Sequence, residues 1–276
     1  MSTMINYKNR FTICCAIVTY NGSKNVERQV IELQDSCAIV IIDNGSNSEY
    51  ITFLKSLKNK YNVQLILNEV NAGLATALNQ GLQYADENGY PYFLTLDQDS
   101  FFVKENIDIM ISAFSKNDSI VSVGPNLKSK KSCFVNYLIT SGNIVKTDVL
   151  KKLGGYDSKL FIDNIDIEIS FRFLANNMKM YAVGGTIFKH KIGEIERSPI
   201  LRIKYLSHSP DRFYWMYRNE RYLLKKYNKK LKKLCFKSYL ASCFGVLKVI
   251  ILEKNKLKKI KQIHRGWKDG KTVAND

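Results

Sequence analysis

Several features that define other protein classes are missing from the sequence. Its six cysteines include no CxxC pair, so we expect reduced, buried thiols in a cytosolic protein instead of a zinc site or a disulfide framework. It has no run of about 20 uncharged apolar residues, so we expect no membrane span. The first apolar run is short and leads directly into a predicted strand, which is not the pattern of a secretory signal. Four prolines and 45% apolar residues are typical of an ordinary globular chain.

Acidic residues are scarce in one part of the chain only. The 276 residues carry 42 Lys and Arg against 25 Asp and Glu. Residues 221–276 hold 17 of the basic and three of the acidic residues, a net charge of +14, which leaves a net charge of +3 for residues 1–220. This asymmetry predicts a nearly neutral domain, residues 1–205, followed by a basic helical appendage, residues 206–276.

Short apolar runs alternate with helical patterns through the first hundred residues. The predicted strands are 11–19, 38–42, 63–67 and 92–96, and the predicted helices are 23–34, 47–60 and 72–87, the last capped by Asn71. This alternation predicts an α/β fold with a mostly parallel sheet covered on both faces. Further along we predict helices at 104–115, 147–153 and 164–176, strands near 119–123, 136–140 and 179–183, and a helical region from about residue 211.

Polar residues follow the predicted strands at the ends where open parallel sheets bind ligands. They are Thr19, Asn21, Asp43, Asn71, Gly73, Asp97, Gln98 and Asp99. Strand alternation places Asp97 and Asp99 on one side of the chain. Two carboxylates at that spacing suit Mg²⁺ or Mn²⁺ bridging a diphosphate, whereas an ordinary solvated turn would explain each motif taken alone.

A second acidic cluster lies at the start of the predicted helix 164–176. Asp163 is placed to cap this helix, and Asp166 and Glu168 fall in its first turn. Carboxylates at a helix start also suit the helix dipole, which is the structural explanation of the cluster. The functional explanation requires one of the three to act as a general base on a hydroxyl group.

Taken together, the motifs resemble the GT-A family 2 glycosyltransferases, and more narrowly the rhamnosyltransferases that build bacterial surface polysaccharides. The resemblance rests on "AIVTYNG", "IIDNGS", "NAGLATALNQG", "LTLDQDS", "LFIDNIDIE" and "FKHKIGE", and covers about residues 11–220. It implies a Rossmann-like GT-A fold, with a mixed, mainly parallel sheet and flanking helices. It also implies a metal-dependent transfer that inverts the anomeric centre of the sugar.

The resemblance implies a role for each motif. The residues that would bind the nucleotide are Thr19, Asn21, Asp43, Asn71, Gly73, Asp97 and Gln98. Those that would hold a Mg or Mn ion are Asp97, Asp99 and His190. Counting back from Arg172 makes Asp166 the general base, but Ile165 stands where the family usually has Glu, so Asp163 and Glu168 remain alternatives.

The same resemblance implies a substrate pair and a location. The donor would be dTDP-L-rhamnose, with a UDP-hexose or UDP-galactofuranose as the alternative. The acceptor would be a lipid-linked saccharide of O-antigen or capsule synthesis, reached by a peripheral enzyme at the cytoplasmic face of the inner membrane.

The basic C-terminal segment offers its own explanation of membrane association. In 222–233 the residues Tyr222, Leu223, Leu224, Tyr227 and Leu231 form an apolar face between lysines, and 238–252 is strongly apolar. Basic amphipathic helices of this kind lie in the membrane interface and favour anionic lipid. The alternatives are a solvated helical cap packed on the main domain and an RNA-binding tail. The aromatics are not arranged as a stacking platform, so we expect no nucleic-acid partner.

Overall fold

The structure, a computed structural model, describes residues 11–189, 194–198 and 203–273. Within them the chain forms two compact units. The first comprises 11–158 and 177–189, and the second comprises 159–176, 194–198 and 203–273. The domain boundary expected at residue 205 stays a prediction.

The first unit is an eight-stranded mixed sheet with helices. In chain order its elements are β1 (Ile13–Thr19), α1 (Asn25–Leu33), β2 (Ala38–Asp43), α2 (Ser48–Lys60), β3 (Val63–Leu67), α3 (Leu74–Glu87), β4 (Tyr92–Asp97), β5 (Phe101–Phe102), α4 (Glu105–Ser112), β6 (Ile120–Pro125), β7 (Cys133–Val135), β8 (Asn143–Lys146), α5 (Thr147–Lys152), β9 (Lys179–Val183) and β10 (Phe188–Lys189). The strand order in the large sheet is β3-β2-β1-β4-β8-β6-β9-β7, and β5 pairs with β10.

Strand register brings the polar strand ends to one edge of the sheet. β1 runs parallel to both β2 and β4, with Thr19 opposite Asp43 and Val18 opposite Asp97. Every residue of β1 is buried, as expected for a central parallel strand covered on both faces. β8 enters antiparallel beside β4, so the sheet is mixed. The predicted α/β fold with a mainly parallel sheet is therefore confirmed.

The strand predicted near 136–140 is wrong. Strands form instead at β7 and β8, on either side of it. Between them a tight turn closes through the Asn143 N–H donating to Thr140 O at 3.2 Å, and Gly142 takes a φ of +81°. The Thr95 hydroxyl donates to Thr140 O in the same turn, and the Thr95 carbonyl accepts from the Gly142 N–H. Because these bonds hold the backbone in a turn, it cannot extend along the sheet.

The second unit is mainly helical. It contains α6 (Ile165–Ala175), β11 (Glu194–Arg197), β12 (Lys204–Ser207), α7 (Pro210–Tyr227), α8 (Lys232–Leu252) and α9 (Lys256–Asp269). Ser209 caps α7, and Pro210 occupies the first helical position. A small core forms between the last three helices from Phe213, Tyr217, Val249 and Ile263.

Two expectations for the basic segment need correction. Tyr222, Leu223 and Tyr227 are buried, so the apolar face of 222–233 packs inside the unit and does not face outward. By length and composition α8 could cross a membrane, since its 21 residues are mostly apolar and little of the helix is buried. Core helices of soluble proteins pass the same test. The helix is therefore longer than the apolar stretch 238–252 expected from the sequence, whereas the predicted absence of a membrane span stays a prediction.

The cysteines divide into two groups. Cys14, Cys15, Cys37 and Cys235 are buried free thiols, as predicted, and burial raises the pKa of Cys14 and Cys15 well above the usual range. Cys133 and Cys243 are free but exposed, which corrects the expectation that all six are buried. Cys133 begins β7, at one edge of the sheet, and Cys243 lies in the middle of α8.

Candidate active site

The Asp43 carboxylate joins the ends of β1 and β2. It is fully buried, and it accepts hydrogen bonds from the Thr19 hydroxyl at 3.0 Å, the Ser46 N–H at 2.9 Å and the Ser46 hydroxyl at 2.5 Å. These bonds satisfy the buried charge and fix the turn after β2. The structure therefore brings the predicted nucleotide residues Thr19 and Asp43 into contact with each other.

Asn21 ties the loop after β1 to the same turn. Its φ of +44° is uncommon for a residue other than glycine, although Asn tolerates it better than most. The Asn21 N–H donates to the Ser46 hydroxyl at 2.7 Å, and the Asn21 side chain accepts from the Asn47 N–H at 2.9 Å. Asn47 in turn caps α2. These hydrogen bonds hold the loop after β1 and the turn after β2 together at the edge of the sheet.

A network of side-chain amides holds the loop after β3. Asn44 donates to Asn71 at 3.0 Å and accepts from the Ala72 N–H at 3.0 Å, while Asn68 and Gln80 exchange two hydrogen bonds. Asn71 does not cap α3 as predicted. The cap residue is Gly73, with a φ of +87°, and Asn71 accepts the Gly73 N–H at 3.0 Å instead. A left-handed residue at this point favours glycine.

Asp97 and Asp99 lie in a turn directly after β4. The Asp97 N–H donates to the Ser141 hydroxyl at 2.9 Å, and the Asp97 carbonyl accepts from the Ser100 N–H at 3.0 Å. Asp97 is half-buried and Asp99 is exposed. The strand therefore ends on two carboxylates because it has reached the open edge of the sheet, where water reaches at least one of them.

The Gln98 side chain points back towards the loop after β1. Its amide oxygen accepts the Tyr20 N–H at 2.9 Å, and its amide nitrogen donates to the Tyr20 carbonyl at 3.3 Å. A Cβ added at Gly22 would lie 2.4 Å from the same Gln98 oxygen, so a larger residue there would displace the Gln98 side chain. Gln98 therefore connects the turn after β4 to the loop after β1. Its predicted contact with a nucleotide stays a prediction.

Tyr50, from α2, is a site residue that the sequence reasoning missed. Its side chain is buried, and a Cβ at Gly22 would lie 2.6 Å from its hydroxyl oxygen. Burial and the nearby Asp43 charge raise the pKa of Tyr50 to about 12. The Thr19 hydroxyl lies close, yet the Tyr50 hydroxyl has no hydrogen-bond partner of normal geometry in the described part of the chain. A buried, unsatisfied hydroxyl beside a functional rim is a candidate ligand contact.

The donor set at the end of β4 fits a hard divalent cation. Carboxylate oxygens such as those of Asp97 and Asp99 are the ligands that Mg²⁺ and Mn²⁺ prefer, and such ions keep positions for phosphate oxygens. The third predicted ligand, His190, lies outside the described residues. Among residues 11–189, 194–198 and 203–273, no cluster of three or more His, Cys, Asp or Glu is close enough to hold a metal.

In the second unit, the acidic cluster begins with two consecutive left-handed residues. Asp163 has a φ of +65° and Asn164 a φ of +59°. Asp163 does not cap α6 as predicted: the cap residue is Asn164, which makes no side-chain cap bond. The Asp163 carboxylate instead pairs with Arg212 of α7, at 2.9 Å and 3.1 Å. Non-glycine residues in this conformation persist where the surrounding structure holds them, often at functional sites.

Asn219 of α7 supplies that support. It is fully buried, and its amide nitrogen donates to the carbonyls of Ile162 at 2.7 Å and Asp163 at 3.0 Å. Its amide oxygen accepts from Arg218 at 2.7 Å. Asn219 therefore fixes the backbone that leads into Asp166, although nothing in its sequence context signals this role.

The three carboxylates of the cluster lie in different environments. Glu168 is fully buried and bonds Lys226 at 2.8 Å, the Tyr227 hydroxyl at 2.6 Å and Arg172. Burial, together with this carboxylate, raises the pKa of Tyr227, so its phenol stays protonated and donates. A carboxylate closed in this way is poorly placed to take a proton from a substrate, which argues against Glu168 as the base. Asp166 is only half-buried, in the first turn of α6.

Comparison with known proteins decides the family. The model of the family "Glycosyl transferase family 2" matches residues 14–192, which is more than half of the chain. The chain belongs to glycosyl transferase family 2. It is therefore a glycosyltransferase, and the resemblance seen in its motifs is confirmed.

Relatives of this family 2 glycosyltransferase agree with that assignment. It is 29% identical over 278 residues to "dTDP-rhamnosyl transferase RfbF" of Shigella flexneri, covering 91% of this chain and 92% of that one. Among solved structures, S. aureus TarS 1–349 in complex with UDP-GlcNAc matches 95% of this chain and 81% of its own, with a TM-score of 0.65 and 17% identity. The mannosyltransferase PcManGT of Pyrobaculum calidifontis, solved with GDP-Man and Mn²⁺, covers 95% and 73%, with a TM-score of 0.60 and 11% identity. The structural likenesses confirm the GT-A fold.

Proposed function

We propose that this glycosyltransferase moves L-rhamnose from dTDP-L-rhamnose to a hydroxyl group of a lipid-linked saccharide in bacterial surface polysaccharide synthesis. The observation that carries the proposal is the similarity to dTDP-rhamnosyl transferase RfbF, which extends over nine-tenths of both chains. The motif pair "LTLDQDS" and "LFIDNIDIE" supports the same sugar class.

The donor pocket is assigned to the edge of the sheet. Thr19, Asn21 and Asp43 hold the nucleobase and ribose, directly or through the turns they fix, and the loop of Asn71 and Gly73 lets the nucleotide approach the backbone. Tyr50 joins this set because its hydroxyl is buried without a described partner. Asp97 and Asp99, with His190, are the residues that would hold a Mg²⁺ or Mn²⁺ ion. When bound, such an ion neutralises charge on the departing diphosphate.

The general base is assigned to Asp166. It takes the proton from the acceptor hydroxyl as that oxygen attacks the anomeric carbon, and the bond to the diphosphate breaks in the same displacement. A single displacement inverts the anomeric centre, so a β-linked donor yields an α-linked product. Asn219 binds backbone carbonyls just before α6, and Arg212 binds the Asp163 side chain. We regard both as positioning residues, because these bonds fix the segment that leads into Asp166.

The lipid carrier of the proposed acceptor implies that the enzyme works at a membrane. A saccharide on a lipid carrier keeps its reducing end at the bilayer, so the enzyme that extends it works at the cytoplasmic face of the inner membrane. The net charge of +14 in residues 221–276 supports this location, because the cytoplasmic leaflet is negatively charged.

Purified enzyme and a panel of nucleotide sugars test the proposal. We expect turnover, read as release of the nucleoside diphosphate, with dTDP-L-rhamnose and its loss when a chelator is added. UDP-GlcNAc, UDP-galactose and UDP-galactofuranose serve as competing donors in the same assay. Preferred use of a UDP-sugar would replace the rhamnosyl assignment with the alternative donor, and full activity in chelator would remove the cation.

A further inference from the structure

The outer face of α8 carries a stripe of exposed apolar side chains. The stripe consists of Phe236, Leu240, Phe244, Leu247 and Ile251, which are between 40% and 68% exposed. Their spacing of three or four residues places them on one side of the helix, over about 22 Å at 1.5 Å per residue. Tyr239 and Ile250 widen the stripe. A continuous exposed apolar surface of this kind marks an interaction site.

The opposite face of α8 is anchored within its own unit. Cys235 and Val249 are buried, and the Tyr217 hydroxyl of α7 donates to the Ser242 carbonyl at 2.8 Å. Lys248, the basic residue in the middle of the helix, bonds the Leu206 carbonyl and pairs with Glu253 at 3.4 Å. The helix thus has one face packed on protein and one face open, and its central charge is turned to the packed side.

Lysines flank the apolar stripe at both ends. Lys232, Lys233 and Lys237 are exposed on the first turns of α8, and Lys254 and Lys258 are exposed just after it. The segment 221–276 holds only three acidic residues. A second copy of this chain would bring an equal positive charge against the stripe, which opposes self-association. An anionic bilayer surface matches both the apolar stripe and the basic flanks.

We propose that α8 lies in the plane of an anionic bilayer, with the Phe236–Ile251 stripe inserted among the acyl chains and the flanking lysines at the phosphate groups. The helix does not cross the bilayer, because a span is apolar on all sides over about 20 residues, whereas one face of α8 is bound to Tyr217 of α7 and to the Leu206 carbonyl of β12. Only the purpose of this membrane contact, the delivery of a lipid-linked acceptor, rests on the proposed function. Binding to vesicles itself can be tested without any substrate.

The two exposed cysteines provide a matched pair of probes. Cys243 is exposed on α8 next to Phe244 of the stripe, and Cys133 is exposed in the first unit, while the other four are buried. An environment-sensitive fluorophore is attached at Cys243 in the Cys133→Ser protein, and at Cys133 in the Cys243→Ser protein. Vesicles of phosphatidylglycerol and phosphatidylcholine should shift the Cys243 emission to the blue and leave the Cys133 emission unchanged. No shift at Cys243, or equal shifts at both positions, would overturn the proposal.

Paired substitutions test the stripe itself. Phe244→Ser with Leu247→Ser should lower the partition coefficient for these vesicles by at least about tenfold, because two large apolar side chains no longer leave water. The control, Ile31→Ser with Ile109→Ser, changes two similarly exposed helical residues of the first unit, and we expect it to float with the vesicles as wild type does. Wild-type recovery of the Phe244/Leu247 variant in flotation would exclude the stripe as the docking surface.

Two further measurements distinguish an in-plane helix from a membrane span and from a dimer interface. An alkaline carbonate wash should release the wild-type protein, whereas retention would show that α8 crosses the bilayer. Sedimentation velocity should give the same monomer for wild type and the Phe244/Leu247 variant, whereas a dimer lost only in the variant would assign the stripe to a second copy.

Activity measurements separate this proposal from the proposed function. With a water-soluble saccharide acceptor the Phe244/Leu247 variant should retain its turnover. A wild-type protein that binds vesicles but uses no sugar in the donor panel would refute the proposed function and leave the docking surface intact.

Discussion

At the scale of single residues, burial separates the acids whose charge the fold satisfies from the acids that we propose to be functional. Asp43 and Glu168 are fully buried and each accepts several hydrogen bonds, so their charges are satisfied inside the fold. Asp99 is exposed and Asp166 half-buried, so solvent and a substrate reach them more readily. Functional roles are therefore assigned to the second pair.

Neutralising either carboxylate of that second pair tests its role. Asp166→Asn and Asp99→Asn should each lower kcat by about a thousandfold, as expected for loss of a general base or of a cation ligand. Thermal unfolding should stay within about 2 °C of wild type, since surface substitutions change stability little. The control is Asp108→Asn, an exposed acid on α4, which should keep normal turnover. Wild-type rates in either site variant would cancel that residue's role.

Removal of the Tyr50 hydroxyl distinguishes a ligand contact from a structural one. Tyr50→Phe deletes a buried group that has no described hydrogen-bond partner, so the free protein should be unchanged in stability or slightly more stable. If the hydroxyl binds the donor, KM for the donor should rise about tenfold, the equivalent of one hydrogen bond, while kcat changes little. Steady-state kinetics and a thermal melt measure both. A lower Tm with unchanged KM would mean that the hydroxyl has a structural partner.

At the scale of elements, α7 organises the second unit. Its Arg212 and Asn219 hold the two left-handed residues before α6, and its Tyr227 binds Glu168 inside α6. The Tyr217 hydroxyl of the same helix donates to α8. The predicted apolar face of this segment is therefore used for packing, whereas α8 keeps an apolar face in contact with water.

Glu220 of α7 makes the stability of this unit depend on pH. Burial raises the pKa of its carboxyl above the usual 4.5, and the hydroxyls of Ser238 and Ser242 oppose that shift in part. Between pH 4.5 and the raised pKa, the folded state binds more protons than the unfolded chain. The contribution of Glu220 to stability is therefore present below pH 4.5 and is lost as the pH rises through the folded pKa.

Glu220→Gln should remove this dependence, because the amide is neutral at every pH and can still accept the Asn164 N–H. We expect the variant and wild type to melt alike near pH 4, and the variant to melt higher near pH 8. Glu105→Gln, an exposed acid in the first turn of α4, is the control and should show no such divergence. Melting curves that stay parallel across this pH range would contradict the assigned shift.

At the scale of the whole molecule, the excess basic charge and the residues matched by the family model lie in different parts of the chain. The first 220 residues carry a net charge of +3, and the remaining 56 carry +14. The family model ends at residue 192, so the whole basic segment 221–276 lies beyond the part that the family model matches. Donor chemistry and bilayer binding are therefore expected to respond to different substitutions.

Donor binding should be visible as a change in overall stability. A ligand that binds only the folded protein stabilises it by about 2.7 kcal/mol at a hundred times its Kd. We expect dTDP-L-rhamnose with Mn²⁺ to raise Tm by about 5 °C or more, and either component alone to raise it less. The same additions to Asp99→Asn should leave Tm nearly unchanged. A rise that survives in that variant would place the cation elsewhere.

Local pattern was sufficient for most of the fold and for the edge of the donor site. β1, β2, β3 and β4 form within two residues of their predicted ends, because short β-branched runs and the residues that interrupt them are local signals. Parallel pairing then brings Thr19, Asp43 and Asp97 to one edge without further information. The motif set likewise predicted the family.

Burial, in contrast, depended on partners far away in the chain. Glu168 and Tyr227 are 59 residues apart, and their bond argues against one of the three alternative bases. The sequence predicts apolar side chains on both α7 and α8, but the apolar face of α7 is covered by its own unit and the stripe on α8 is open to water. Hydropathy measures how strongly a side chain avoids water, whereas the packing of distant segments settles whether protein or something outside the chain covers it.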